Sequence, residues 1–243
     1  IAGLFSATSL AINYSATDIT AVGMDTVAGS PTILTSSQTY PNTQVTFEVG
    51  KPDGSAVDVV GMTDSLGVAR VMFQGENTKV AGIYTVKAKV ADNAISDKYN
   101  NFSVLVAPIS KTASSIAPAD QVVRSADEKA LVTVTLVDDY NNPISGHNIR
   151  LISSAATDEM IYSSSTVTDT NGQIVFTVDS KQSGAFVYTA YDVTADFIVN
   201  GKARVAYFDD TNPILSSNIP SNYAFGSSGN GSGVVDHLSF EEI

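Results

Sequence analysis

Apolar side chains recur at every second position along most of this chain, and that period constrains its fold more than any other feature. Val45, Phe47 and Val49 alternate with Thr46 and Glu48; Tyr84, Val86, Ala88 and Val90 alternate with Thr85, Lys87 and Lys89. Val132, Val134 and Leu136 alternate with Thr133 and Thr135, and Ile174, Phe176 and Val178 with Val175 and Thr177. Successive side chains of an extended strand point to opposite faces, so each run offers one apolar face to a core. The runs are rich in Val, Thr, Tyr and Phe, which suit a pleated surface. Turn signals punctuate them: Pro52-Asp53-Gly54, Ser65-Leu66-Gly67, Asn141-Asn142-Pro143 and Asn171-Gly172. Gly and Asn tolerate positive φ, and Pro pre-sets a turn corner. No long stripe of period 3.6 is present, so helices are expected to be short or absent and the fold class is all-β.

The pattern occurs twice. Thr63-Asp64-Ser65-Leu66-Gly67-Val68-Ala69 returns as Thr168-Asp169-Thr170-Asn171-Gly172-Gln173-Ile174, and each copy runs into an apolar strand. Downstream, Gly82-Ile83-Tyr84-Thr85-Val86 parallels Gly184-Ala185-Phe186-Val187-Tyr188. A unit of roughly 100 residues, present twice, has the size of one immunoglobulin-like sandwich. The spacing predicts a first domain over 1–108, with an atypical first half, and a second over 109–210. The joint falls near Ala107-Pro108-Ile109-Ser110-Lys111 and is short. Residues 211–243 contain Pro213, Pro220 and the run Gly226 to Gly233, which is linker or tail chemistry. One extra strand is expected over Val234 to Ile243.

Composition narrows the function classes. The net charge is −12, from 25 acidic and 13 basic residues, so phosphate repels the chain and nucleic acid is excluded as a natural partner. No run of about 20 apolar residues is present, so no direct membrane insertion is expected. There is no cysteine, which fits a bacterial surface protein better than a disulfide-stapled eukaryotic one. The chain starts at Ile1 without a basic leader or initiator Met, as a mature or excised fragment would.

The second domain carries a specific series. Ser115-Ile116 and Val122-Val123 lead into the run Val132 to Val137. Asp138-Asp139-Tyr140-Asn141-Asn142-Pro143-Ile144-Ser145-Gly146 follows, then Ile149-Arg150-Leu151 and the Thr168 to Gly172 turn. Residues 113–208 thereby resemble the bacterial Ig-like domains of the invasin and intimin type, the Big-1 group. The first domain matches only over Val45 to Val106; in place of an Asp-x-x-Gly-x-Pro-x-x-Gly hairpin it has the polar stretch Met24 to Pro41. The resemblance implies tandem immunoglobulin-like β-sandwiches in a stalk or adhesin on a bacterial surface. It names no receptor.

Residues able to do chemistry are sparse. The two histidines, His147 and His237, lie in different modules and read as exposed loop or strand residues, because a catalytic His needs a positioned partner. No nucleophile elbow, His-Glu-x-x-His motif or cysteine nucleophile is present, so no enzyme is expected. Asp138 and Asp139, before Tyr140-Asn141-Asn142, and Asp209 and Asp210, before Thr211-Asn212, are the candidate metal ligands, with calcium as the ion. Calcium takes roughly six to eight oxygens, more than two carboxylates supply, and the alternative is a turn whose Asp and Asn bond their own backbone. Otherwise no cofactor is expected. Asp64 and Asp169 read as hairpin caps. Tyr140, Tyr162, Tyr191 and Tyr223 lie near turns or strand ends, where exposed Tyr can anchor a contact. An intramolecular Lys129–Asn200 bond would need both side chains buried beside an acid.

These features predict a non-catalytic structural or adhesive segment, located outside the cell or at its surface. Its partners would be a protein or glycan on a host or neighbouring cell, or further copies of itself. Two other readings are a filament or surface-layer subunit joined by strand addition through Val234 to Phe240, and a carbohydrate-binding accessory module of a larger enzyme.

Overall fold

The computed structural model describes residues 19–37, 40–90, 94–95, 99–124, 129–154, 159–180 and 184–208. The chain divides into two compact units, Ile1–Ala107 and Pro108–Ile243, each with its own apolar core between two sheets.

The first unit contains β1 (Thr20–Gly23), β2 (Thr26–Val27), β3 (Thr32–Ser37), β4 (Gln44–Gly50), β5 (Ala56–Met62) and β6 (Ala69–Phe73). After a single 3₁₀ turn, Gly75–Thr78, come β7 (Gly82–Val90), β8 (Ala94–Ile95) and β9 (Asn100–Leu105). One sheet has the order β1-β3-β6, the other β2-β9-β7-β4-β5 with β8 beside β7. The alternation does what it predicts: Val45, Phe47, Val49, Tyr84, Val86 and Val90 are all fully buried. Each such side chain contributes on the order of 1.5–3 kcal/mol of burial free energy. Tyr84 and Phe102 stack at 5.2 Å, and Phe73 meets both edge-on. The Tyr84 hydroxyl donates toward the carbonyls of Val80 (2.8 Å) and Asn77 (3.1 Å), so a buried ring keeps its polar tip satisfied. This is the tyrosine-corner device of immunoglobulin-like sandwiches.

The second unit contains β10 (Ser115–Ala117), β11 (Asp120–Arg124), β12 (Ala130–Thr135), β13 (Ile149–Ser153) and β14 (Glu159–Ser163). It continues with β15 (Gln173–Ser180), β16 (Gly184–Asp192), β17 (Phe197–Ile198) and β18 (Ala203–Phe208). Its sheets are β10-β12-β15-β14 and β11-β18-β16-β13, with β17 beside β16. Val132, Val134, Leu136 and Val178 are fully buried between them.

Both units split their first strand between the two sheets. β1 pairs antiparallel with β3, and the chain then crosses so that β2 pairs in parallel with β9. In the second unit β10 pairs antiparallel with β12, the Ala117–Pro118 peptide is cis, and β11 pairs in parallel with β18. The stretch Met24 to Pro41, where the sequence departs from the second unit's pattern, carries β2 and β3.

The sequence repeat is also an atomic repeat. Thr63 Oγ1 accepts from the Thr43 amide (2.8 Å) and donates to the Tyr40 carbonyl. Thr168 Oγ1 accepts from the His147 amide (3.1 Å) and donates to the Ile144 carbonyl (2.8 Å). Both hydroxyls are buried and tie the turn to a segment far upstream. One residue on, Asp64 Oδ1 accepts from Leu66 N (2.8 Å) and Val68 N (3.0 Å), and Asp169 Oδ1 from Asn171 N (2.9 Å) and Gln173 N (2.8 Å). Both carboxylates act as hairpin caps. Gly67 and Gly172 close the two turns at φ of 77° and 71°, a conformation that other L-residues adopt at a cost.

Candidate functional site

Asp138 stands at the end of the β12 segment and is completely buried. Its Oδ1 accepts from Tyr140 N (2.8 Å) and Asn142 N (2.9 Å), and its Oδ2 from Asn142 Nδ2 (2.8 Å). Asn141 takes a positive φ of 63° to let the loop close around that carboxylate. Thus the Asp138 oxygens serve the turn, while its neighbour Asp139 points to solvent. Asp209 and Asp210 lie outside the described residues. Among the described residues there is no group of three or more His, Cys, Asp or Glu side chains placed to hold a metal ion.

The histidine reading needs correcting. His147 is not a free surface residue: its Nδ1 lies 2.7 Å from Asp192 Oδ2, and the side chains are 22% and 0% exposed. Asp192 also accepts from Thr194 N (2.9 Å) and Ala195 N (3.1 Å), so one buried carboxylate organises the turn after β16 and fastens it to the segment before β13. Beside this pair, Thr168 Oγ1 accepts from the His147 amide and donates to the Ile144 carbonyl, so the same loops are braced a second time. The sequence hides this pair because 45 residues separate its members. His237 lies outside the described residues.

Lys129 and Asn200 do not form the buried pair that an intramolecular bond requires. Lys129 is exposed with its ammonium 5.5 Å from the Tyr162 ring centroid, and exposed Asn200 donates to the Thr112 carbonyl (3.3 Å). Of the candidate tyrosines, Tyr140 and Tyr162 are 36% and 44% exposed. Tyr191 donates to Asp196 and has the Arg150 guanidinium 5.3 Å from its ring centroid, and Tyr223 lies outside the described residues.

The most organised polar surface is one that sequence reasoning did not single out, the outer face of the larger sheet in the first unit. The β5–β4–β7 register places Asp58, Glu48 and Lys87 in one row, and Tyr99, just before β9, ends it. Lys87 Nζ donates to Tyr99 Oη (2.6 Å) and reaches Glu48 Oε1 at 3.0 Å. The Tyr99 hydroxyl and then the Glu48 carboxylate hold the ammonium's pKa above its ordinary 10.5. The next row reads Ala56, Gly50, Thr85 and Asn101. Alternation alone marks Glu48 and Lys87 as outward-facing; their alignment with Tyr99 needs the register.

Comparison with known proteins agrees with this architecture. No family model matches the chain. Among curated proteins it is 23% identical over 199 residues to the inverse autotransporter adhesin YeeJ of Escherichia coli strain K12. That match covers 80% of this chain and 8% of YeeJ. Among solved structures it resembles Yersinia pseudotuberculosis InvD, with a TM-score of 0.55 and 15% identity over 83% of this chain and 62% of that one. It also resembles the Escherichia coli adhesin FdeC, with a TM-score of 0.54 and 15% identity over 81% of this chain and 64% of that one. The chain shares its fold with InvD and FdeC. The likeness to InvD and FdeC bears out the all-β, immunoglobulin-like fold expected from the sequence, and both YeeJ and FdeC are described as adhesins. The Ig-like chain spans less than two thirds of each of these relatives.

Proposed function

We propose that this chain is a non-catalytic, force-carrying segment of a bacterial extracellular adhesin, acting as stalk or binding module between the cell surface and a protein or glycan beyond it. The observation that carries the reading is the parallel pairing of each unit's early strand with its last one: β2 with β9, and β11 with β18. Tension applied at the two ends of such a unit drags the paired strands in opposite directions along their own axes. The ladder hydrogen bonds are then loaded together, in shear, instead of being unzipped one at a time. The likeness to YeeJ and FdeC supports a surface location and an adhesive context.

The two units differ in how much of this pairing they possess. β11 and β18 align over five residue pairs, Asp120↔Arg204 to Arg124↔Phe208, with an Arg204–Asp120 ion pair at 2.9 Å. β2 and β9 align over two, Thr26↔Val104 and Val27↔Leu105, extended by Ala28 N to Leu105 O at 2.8 Å. Pulling a single molecule from its two ends should therefore give two unfolding events, with the second unit yielding at the higher force. If the second unit yields first, or the chain extends without discrete events, the shear argument is wrong. The filament reading rests on Val234 to Phe240, which lie outside the described residues.

A further inference from the structure

The outer face of the larger sheet in the first unit holds a depression of about 380 Å³. Its floor is made of residues with little or no side chain, Gly50 and Ala56, beside Thr85. Glycine matters at this point: a Cβ on Gly50 would lie 2.6 Å from Thr85 Oγ1 and would fill the hollow. One wall is the hairpin Lys51 to Ser55, held by the Ser55 amide and hydroxyl on Asp53 Oδ1 (2.9 and 2.6 Å). The opposite wall is Glu48 and Tyr99, which Lys87 ties together. Ile83 and Tyr99 remain 65% and 54% exposed at the rim.

We infer that this hollow is a saccharide-binding site of the first unit, taking a single neutral pyranose ring of a longer glycan. The inference stands independently of the force-carrying role. Four observations select that ligand over others. β4 is paired on both sides, to β5 and β7, and β7 to β4 and β9, so no peptide strand can be added at this floor. Recognition must come from side chains. The lining combines an exposed aromatic ring and an Ile with a carboxylate, two hydroxyls and an ammonium. A pyranose matches that set, since its C–H face packs on a ring while its hydroxyls both donate and accept. Phosphate and other anions are repelled by Glu48, by Asp58 beside it in the row, and by the net charge of −12. The volume lies near the small end of the roughly 300–1,000 Å³ of small-molecule sites, as suits one ring.

The test is NMR titration of the intact chain with methyl glycosides of galactose, glucose, mannose, fucose and N-acetylglucosamine. An open site for one ring binds at about millimolar Kd, so each probe is carried to tens of that concentration. At least one probe should shift the amide signals of Gly50, Ala56 and Thr85. Tyr99→Ala, which alters an exposed side chain, should weaken that binding about tenfold or more while leaving the buried Tyr84 environment unchanged. Gly50→Val, which fills the floor, should abolish it. The inference is overturned if no glycoside perturbs these amides, or if Tyr99→Ala binds as well as the parent. It is equally overturned if an oligolysine peptide shifts the same amides at lower concentration than every glycoside, which would make this an acidic peptide-docking face.

Discussion

Removing the Asp138 carboxylate should unfold the second unit far more easily, and two substitutions grade the effect. In Asp138→Ala the amide of Tyr140, the amide of Asn142 and the Asn142 side-chain NH₂ all lose their acceptor. Tyr140 sits at the rim and water can replace its bond, but Asn142 is only 6% exposed. Two buried donors left unsatisfied cost about 1–3 kcal/mol each, so the loss is about 2–6 kcal/mol. Asp138→Asn keeps an oxygen for the two backbone amides but turns an NH₂ toward Asn142 Nδ2, donor against donor, for about 1.5–3 kcal/mol. Urea unfolding of the full chain reads both, with the second unit followed by the amides of β12 and β16. With a slope of about 1–3 kcal/mol per molar, the alanine variant should lower that unit's midpoint by roughly 0.7–6 M and the asparagine variant by less. The same experiment separates the turn role from a calcium role. Since the carboxylate oxygens already accept three hydrogen bonds, calcium and EDTA should leave the parent midpoint where it is. An alanine variant as stable as the parent would refute the reasoning, as would a calcium-dependent midpoint in the parent that the alanine variant loses.

Three further outcomes follow from single positions. Gly172→Ala should be severely destabilising, by several kcal/mol on the order expected for steric conflict plus backbone strain, because its Cβ would lie 2.4 Å from the Leu136 carbonyl at a φ of +71°. Gly54→Ala, at a φ of +84° with open space around it, should cost only the left-handed backbone term of about 1–2 kcal/mol, and thermal unfolding of the two variants measures the contrast. The Val68 and Leu66 amides, with Arg70 beside them, hold the Asp64 carboxyl below its ordinary 3.8. A carboxyl depressed on folding contributes stability that is present above its unfolded pKa and lost as pH falls through the lower folded value. Acid titration of the first unit should therefore show a loss below about pH 4 that Asp64→Asn flattens, and an unchanged acid profile in that variant would argue against the cap.

Much of the core was readable from the chain alone, because a strand's side chains alternate with a fixed local period. Phe47, Tyr84, Val134 and Phe176 are inward where the pattern puts them, and the copies of Thr-Asp-x-x-Gly build the same turn twice. Each of those features depends on residues a few positions apart, so neighbouring sequence suffices to specify it.

Which strand lies beside which is a different kind of information. β11 meets β18 in parallel across most of the second unit, His147 meets Asp192, and Asp58, Glu48, Lys87 and Tyr99 form one row, although each group is drawn from separate segments. Local period is silent on such partners, since several strands of similar composition could occupy the same edge. The choice is made when the two sheets close over a shared core, where only one register buries every apolar face at once. The sequence alone thus determined what faces inward and where the chain turns, while the tertiary structure decided what faces outward together. The parallel strand pairs and the hollow proposed to take a sugar ring both belong to that second group.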